Sequence, residues 1–88
     1  MTPSDAAMNH LSSIGVTSPD LAVGIVEEFD WGWSVHVNSS EYWATRDPMK
    51  MFIGLSPVFV SKQLRCRTFP TGMSFKEMCS EFARECAS

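Results

Sequence analysis

Five side chains in this sequence of 88 residues could bind a metal ion or form a nucleophile and base, namely Cys66, Cys79, Cys86, His10 and His36. Structural zinc sites draw their ligands from closely spaced pairs such as C-x-x-C, and these residues show no such spacing. Cys66 and His36 could be brought together by the fold, but the sequence places no strained turn or helix N-terminus at Cys66. We therefore expect the cysteines to pack as small apolar side chains, and we predict no metal, no cofactor and no catalytic residue.

The use of cysteine and the composition of the first residues predict a cytoplasmic protein. Three unclustered cysteines suit a reducing compartment. Cys79 and Cys86 lie on a predicted helix with their Cα atoms about 10 Å apart, too far for a disulfide. Residues 1–5 carry no basic side chain, and no apolar run approaches the roughly 20 residues that span a bilayer. We expect no targeting segment and no association with a membrane.

Five carboxylates, Glu27, Glu28, Asp30, Glu41 and Asp47, fall within a short stretch of the chain. A catalytic pair would need one carboxylate in a pocket that raises its pKa, and nothing in the sequence marks such a pocket. Two interpretations therefore remain open. The carboxylates form a solvated rim, or they form a contact surface for a basic protein, whose association they would accelerate.

The aromatic residues are concentrated in one segment, because all three tryptophans and the only tyrosine lie within residues 31–43. Aromatic side chains beside basic strands can stack with single-stranded nucleic acid, and Arg65 and Arg67 could supply the charge. The net charge of −3 and the acidic residues nearby argue against this ligand. We expect no nucleic-acid binding, a core position for Trp33, and an interface role for Trp31 if it lies exposed at the strand end.

The hydrophobic periodicity predicts two helices, four strands and a short helical turn. In chain order these are a helix over 3–14, strands over 21–29 and 31–37, a turn over 48–53, strands over 57–60 and 64–69, and a helix over 74–86. The second strand depends on the alternation of Trp33, Val35 and Val37 with polar residues. The last helix depends on an apolar stripe at helical spacing after a capping box. Residues 41–45 fit either an extension of the sheet past a bulge or an irregular crossing.

These elements predict a single domain over residues 1–88 with an α+β fold. We expect an antiparallel sheet of about four strands with the N-terminal and the C-terminal helix packed mainly on one face, because amphipathic helices need an apolar sheet face to cover. One core should then contain Trp33, Val35, Val37, Val58, Val60, Phe75, Met78 and Phe82. The opposite face, with Ser34, His36 and Asn38, is expected to meet solvent.

Several short motifs follow one another between residues 32 and 60. They are Gly32-Trp33, Glu41-Tyr42, Thr45-Arg46-Asp47, Gly54-Leu55-Ser56-Pro57 and Val58-Phe59-Val60. In this order and spacing the chain resembles the immunity protein 35 or YrhB-like family of bacterial polymorphic toxin systems. Two features depart from the family pattern: Ser56 stands where a second glycine is frequent, and the hairpin after Val60 is shorter.

The resemblance implies a function in binding and implies no catalytic residue. It implies an immunity protein that binds and neutralises a cognate secreted toxin, encoded by a neighbouring gene and acting in the cytoplasm. The alternative is a small chaperone-like or stress-related cytoplasmic protein. Selective, stoichiometric and tight binding to one partner would favour immunity, whereas weak binding to many unfolded clients would favour the chaperone.

The sequence also predicts where such a partner would bind. The predicted partner-binding residues are Glu27, Glu28, Asp30, Trp31, His36, Arg65 and Arg67. They are expected on the solvent-facing side of the sheet and at its adjoining edge, which is the mixed polar composition of a recognition surface. Trp31 would serve as the anchor, and the acidic residues would steer a basic site on the toxin.

Overall fold

The computed structural model describes residues 1–52, 55–70 and 72–87, and its four strands form one antiparallel sheet in the order β1-β2-β3-β4. The elements are α1 (Pro3–Ser13), β1 (Leu21–Phe29), β2 (Gly32–Ser39), α2 (Ser40–Thr45), a 3-10 helix (Pro48–Lys50), β3 (Val58–Ser61), β4 (Cys66–Arg67) and α3 (Phe75–Ala87). The predicted α+β fold is therefore confirmed. No helix in the described ranges is long and apolar enough to cross a membrane.

Helix α1 begins at a capping box. The backbone amide of Asp5 donates to the Thr2 hydroxyl at 3.1 Å, and the Asp5 carboxylate accepts from the Thr2 amide at 3.3 Å. These two bonds satisfy amides that the first turn leaves without helical partners. The hydrogen bond from the Thr2 backbone amide, followed by the Thr2 side chain, lowers the pKa of the Asp5 carboxyl, since these groups favour its charged form.

Strands β1 and β2 form a hairpin with a two-residue turn at Asp30 and Trp31. Gly32, directly after the turn, has φ 150° and lies against the backbone of Val60, where a Cβ would clash. Glycine is therefore required for β2 to approach β3 closely here. The register of β1 shifts at Gly24, which forms a bulge opposite Val37 and His36.

The two helices pack on opposite faces of the sheet, so the prediction that they share one face is wrong. The first core joins α1 to one face and contains Ala6, Ala7, Leu11, Val35, Val37, Val58 and Val60. The second joins α3 to the other face and contains Phe59, Phe69, Met78 and Phe82. The reason is that the first three residues of β3, Val58–Val60, are all apolar and the strand is buried on both sides, as Phe59 points away from its two valine neighbours.

The predicted single core is consequently divided between the two faces. Trp33, half-buried, belongs to the first core, and Phe75 remains 37% exposed beside the second. The polar face of β2 is covered rather than solvated, with Ser34 fully buried and Asn38 8% exposed. Asn38 exchanges two hydrogen bonds with the backbone of Phe52, at 2.7 and 3.3 Å, which fixes the segment before β3 against the sheet.

The segment that the sequence left ambiguous is helix α2. Ser39 caps it by accepting from the Tyr42 amide at 3.0 Å, and Arg46 ends it with φ 58°. The ring of Trp43 lies against Gly24, and its indole N–H donates to the Ala22 carbonyl at 2.9 Å. Helix α2 therefore covers the first half of β1.

Two other predicted elements are shorter than expected. The helical turn predicted over 48–53 is a 3-10 helix over Pro48–Lys50, and the strand predicted over 64–69 is paired only at Cys66–Arg67. Leu64 instead adopts φ 63° in the turn between β3 and β4. Ile53 of the predicted turn and Gly54 of the predicted motif lie outside the described residues.

Candidate functional site

The second half of β1 is an uncovered strand at the end of the sheet. We call residues 25–29 the open edge. β1 pairs with β2 on one side, and Trp43 covers only the part up to Gly24. Within residues 1–52, 55–70 and 72–87, no backbone hydrogen bond from outside the β1–β2 pair reaches the open edge. An edge of this kind can accept a further strand.

The turn of the hairpin determines which backbone groups of the open edge point outward. A two-residue turn makes the flanking pair, Phe29 and Gly32, exchange both hydrogen bonds. Because bonding alternates along an antiparallel strand, Glu27 and Ile25 also bond to β2. The amides and carbonyls of Val26 and Glu28 therefore point away from the sheet.

The side chains of the open edge combine apolar surface with negative charge. Ile25 is 39% exposed and Val26 is 43% exposed, although both are aliphatic. Glu27 and Glu28 are also exposed, and Asp30 follows in the exposed turn. The predicted partner-binding residues Glu27, Glu28 and Asp30 therefore lie close together here. Ile25 and Val26 were not predicted as part of this surface, because the bulge at Gly24 interrupts the alternation of inward and outward side chains along β1.

Two of the carboxylates contact side chains outside β1. The Glu28 carboxylate accepts from the Lys62 ammonium at 2.8 Å, and that ammonium lies 4.3 Å from the centre of the Trp33 ring. On the other face, Glu27 lies 3.4 Å from the His36 imidazole. The three carboxylates outnumber the one lysine beside them, so the edge has a net negative charge.

Trp31 is part of an aromatic cluster under α3. Its ring stacks on Phe29 with the centroids 4.7 Å apart and meets the edge of Phe82 at 5.1 Å. Phe59 lies next to it at 5.6 Å. The expected exposed anchor is therefore half-buried, and it holds the hairpin turn against α3 through ring contacts.

His36 lies between the sheet and the start of α3. Its ring nitrogen is 3.4 Å from the buried Ser34 hydroxyl, and its ring centre is 5.5 Å from that of Phe75. The imidazole is one quarter exposed, at 25%. Together with Glu27 it forms the inner border of the open edge on the α3 face.

The two predicted arginines do not belong to this surface. Arg65 and Arg67 lie at β4, and β1 and β4 are the opposite ends of the sheet. Three strand spacings of nearly 5 Å separate them, about 14 Å in total. Arg67 pairs with Glu85 of α3 at 3.0 Å. The sequence could not show this separation because it depends on strand order.

The fold does not bring Cys66 and His36 together. Cys66 lies on the α1 face, where it contacts the Ala6 carbonyl, whereas His36 lies on the α3 face. Burial raises the pKa values of Cys66, Cys79 and Cys86, and Glu27 raises that of Cys79 further. A raised pKa keeps a thiol in its less nucleophilic form. No three His, Cys, Asp or Glu side chains of the described ranges are grouped to hold a metal ion.

The surface also has an open groove of about 570 Å³ between β4 and α3. Its charged lining residues are Arg67, Lys76, Glu77, Glu81 and Arg84. The groove carries three basic and two acidic side chains, and Glu81 and Arg84 neutralise each other at 3.2 Å. The open edge is the more distinctive site, since it combines unpaired backbone groups with one sign of charge.

Comparison of the chain with models of known protein families, with curated proteins and with solved structures found no match in any of the three. The resemblance to the immunity protein 35 family therefore stays a prediction from the motif residues. Among these, Gly32 sets the approach of β2 to β3, and Arg46 ends α2. Val58, Phe59 and Val60 form β3 and belong to the two cores, so the motif residues with a visible role build the framework of the sheet and α2.

Proposed function

We propose that this protein is an immunity protein, which binds and neutralises a cognate toxin without catalysing a reaction. The observation that carries the proposal is the open edge of β1, where unpaired backbone groups, two exposed aliphatic side chains and an excess of carboxylates coincide. A surface of this composition suits a protein partner with a basic site. That this partner is a toxin is inferred from the resemblance of the motif residues to the immunity protein 35 or YrhB-like family.

The negative charge of the open edge and of Asp30 beside it would favour rapid association with a basic toxin. Glu27, Glu28 and Asp30 lie within one short hairpin segment, and the whole chain has a net charge of −3. Attraction between this edge and a basic toxin surface would raise the association rate above that of uncharged proteins. Rapid capture is what a neutralising protein requires, because free toxin acts until it is bound.

The proposal also places the protein in the cytoplasm, with the toxin acting there. All three cysteines are free thiols, and each has a raised pKa. Free thiols in a chain of this size suit a reducing compartment.

A chaperone-like role is the second candidate, and a specific observation favours it. Met49 is 88% exposed and Met51 is 40% exposed, in and beside the 3-10 helix. Methionine is flexible and polarisable, and exposed methionines are frequent on surfaces that bind varied partners. Together with Ile25 and Val26 they would give an unfolded client apolar contacts without a fixed geometry.

The decisive experiment compares the two functions in one set of measurements. The toxin domain encoded next to this gene is expressed in cells with and without the chain, and survival is recorded. Binding is then measured by calorimetry with the purified proteins. Protection together with a one-to-one complex supports immunity. Failure to protect, combined with reduced aggregation of heat-denatured citrate synthase, contradicts immunity and supports the chaperone.

A further inference from the structure

We propose that the partner binds by adding a strand to the open edge of β1, through a segment in which two basic residues precede two apolar ones. The mode of binding follows from the edge itself, and only the identity of the partner rests on the proposed function. The proposal names an extended segment of a basic protein as the occupant of residues 25–29.

The backbone groups that point outward from the open edge can form hydrogen bonds with an added strand. Val26 and Glu28 each present one amide and one carbonyl, and residues two apart on a strand are about 7 Å from each other. An added strand can therefore exchange four hydrogen bonds with the open edge. Trp43 blocks further pairing before Gly24, and the turn at Asp30 ends the edge.

The side chains determine what such a strand must carry. Ile25 and Glu27 point to the α3 face, and Val26 and Glu28 point to the α1 face, as their pairing with β2 shows. Each face thus offers one aliphatic residue followed by one carboxylate. An antiparallel partner strand would complement both faces if two basic residues lay opposite the glutamates and two apolar residues followed.

The charges argue against a second copy of this chain as the occupant. A symmetric antiparallel pair that used all four outward groups of each copy would centre on Glu27. It would place the Glu27 carboxylates of the two copies directly opposite each other, which is unfavourable. Lys62 compensates Glu28 on the other face and would not reach this contact. A basic segment removes the repulsion and gains an attraction instead.

The test uses two synthetic peptides of the same composition and the isotopically labelled full chain. One peptide carries the order Lys-Lys-Val-Val between threonines, and the control carries Lys-Val-Lys-Val. Backbone amide signals are followed by NMR during titration. We expect the first peptide to bind several-fold more tightly, to shift the amides of Val26 and Glu28 most, and to slow their hydrogen exchange.

Val26→Pro removes an outward amide without removing a bond to β2, and proline is tolerated on edge strands. We expect it to weaken binding of the first peptide about tenfold, the effect of one lost hydrogen bond and an unsatisfied partner carbonyl. Val26→Thr keeps the amide and the branched shape and serves as the matched control. If Val26→Pro does not fold, Glu27→Gln with Glu28→Gln replaces it, and the preference between the two peptides should disappear.

Several results would overturn the inference. These are equal binding of the two peptides, largest shifts away from residues 25–29, full binding by Val26→Pro, or a concentration-dependent dimer of the free chain through β1. The outcome is separate from that of the proposed function. A chain that binds the first peptide at the open edge but does not protect against the neighbouring toxin would contradict immunity alone.

Discussion

At the scale of single residues, the contrast between Phe82 and Phe75 shows how the second core is built. Phe82 is 4% exposed and contacts Phe59 and Trp31, whereas Phe75, seven residues earlier in the apolar stripe of α3, is 37% exposed. The same side chain on the same helix thus has two environments. Burial, rather than residue type, should determine what each contributes to stability.

Phe82→Ala is expected to lower the free energy of unfolding by about 3–5 kcal/mol, because it removes a buried ring and leaves a cavity. Phe75→Ala is the matched control and should cost much less. Urea denaturation of both variants measures the difference. Trp31 fluorescence should shift to longer wavelength in Phe82→Ala, since its ring loses the contact at 5.1 Å. Equal losses in the two variants would show that Phe82 is not packed.

Gly24 gives a second prediction for a single residue. A Cβ at Gly24 would collide with the Trp43 ring, whereas a Cβ at Gly72 would enter open space. Gly24→Ala should therefore detach α2 and weaken the hydrogen bond to the Ala22 carbonyl, with a measurable fall in melting temperature. Gly72→Ala should leave stability unchanged or raise it slightly. Unchanged tryptophan fluorescence and stability in Gly24→Ala would contradict this role of Trp43.

At the scale of elements, the capping box makes α1 sensitive to acid. The folded-state pKa of Asp5 lies below its ordinary value because Thr2 donates to the carboxylate. Its contribution to stability is therefore present above the unfolded-state pKa and is lost as pH falls through the lower, folded-state value. Thr2→Ala should cost about 1 kcal/mol at neutral pH by removing the cap, although its backbone amide still donates to the carboxylate. Asp5→Asn removes the titrating carboxyl and should flatten the acid dependence. An unaltered acid limb in that variant would disprove the coupling.

The open edge predicts alternating hydrogen exchange along β1. The amides of Val26 and Glu28 point to solvent and should exchange quickly, whereas those of Ile25, Glu27 and Phe29 bond to β2 and should be protected. Exchange followed by NMR in the free chain measures this directly. Uniform protection along the strand would mean that the edge is covered, and uniform exchange would mean that the hairpin is not formed there.

The sequence predicted most elements because each has its own local period, but it did not predict how they assemble. The stripe of α3 and the alternation of β2 are local patterns and were placed within one or two residues. Helix α3 packs on the face of the sheet that carries Phe59. The sequence pattern placed only the opposite face of β3, which carries the two neighbouring valines, in the core. Strand order, which separates Arg65 and Arg67 from the acidic edge, depends on long-range pairing and leaves no local signal.

At the scale of the whole molecule, charge is distributed unevenly along β1. Asp20 precedes the strand and Asp30 follows it, and both are exposed. Ten residues of extended chain separate them by about 33 Å, comparable with the longest dimension of the molecule, 39 Å. The screening length at physiological salt is about 8 Å, so a partner at the open edge senses Asp30 and hardly senses Asp20.

This separation allows a test in which the net charge is changed equally at two places. Asp30→Lys should slow association with the neighbouring toxin several-fold at low salt, because it reverses a charge beside the edge that steers the partner. Asp20→Lys changes the net charge by the same amount and should leave the rate nearly unchanged. Stopped-flow measurements over a range of salt concentrations should show the two rates converging as salt rises. Equal slowing by both variants would indicate an effect of total charge, and no slowing by either would place the binding surface away from β1.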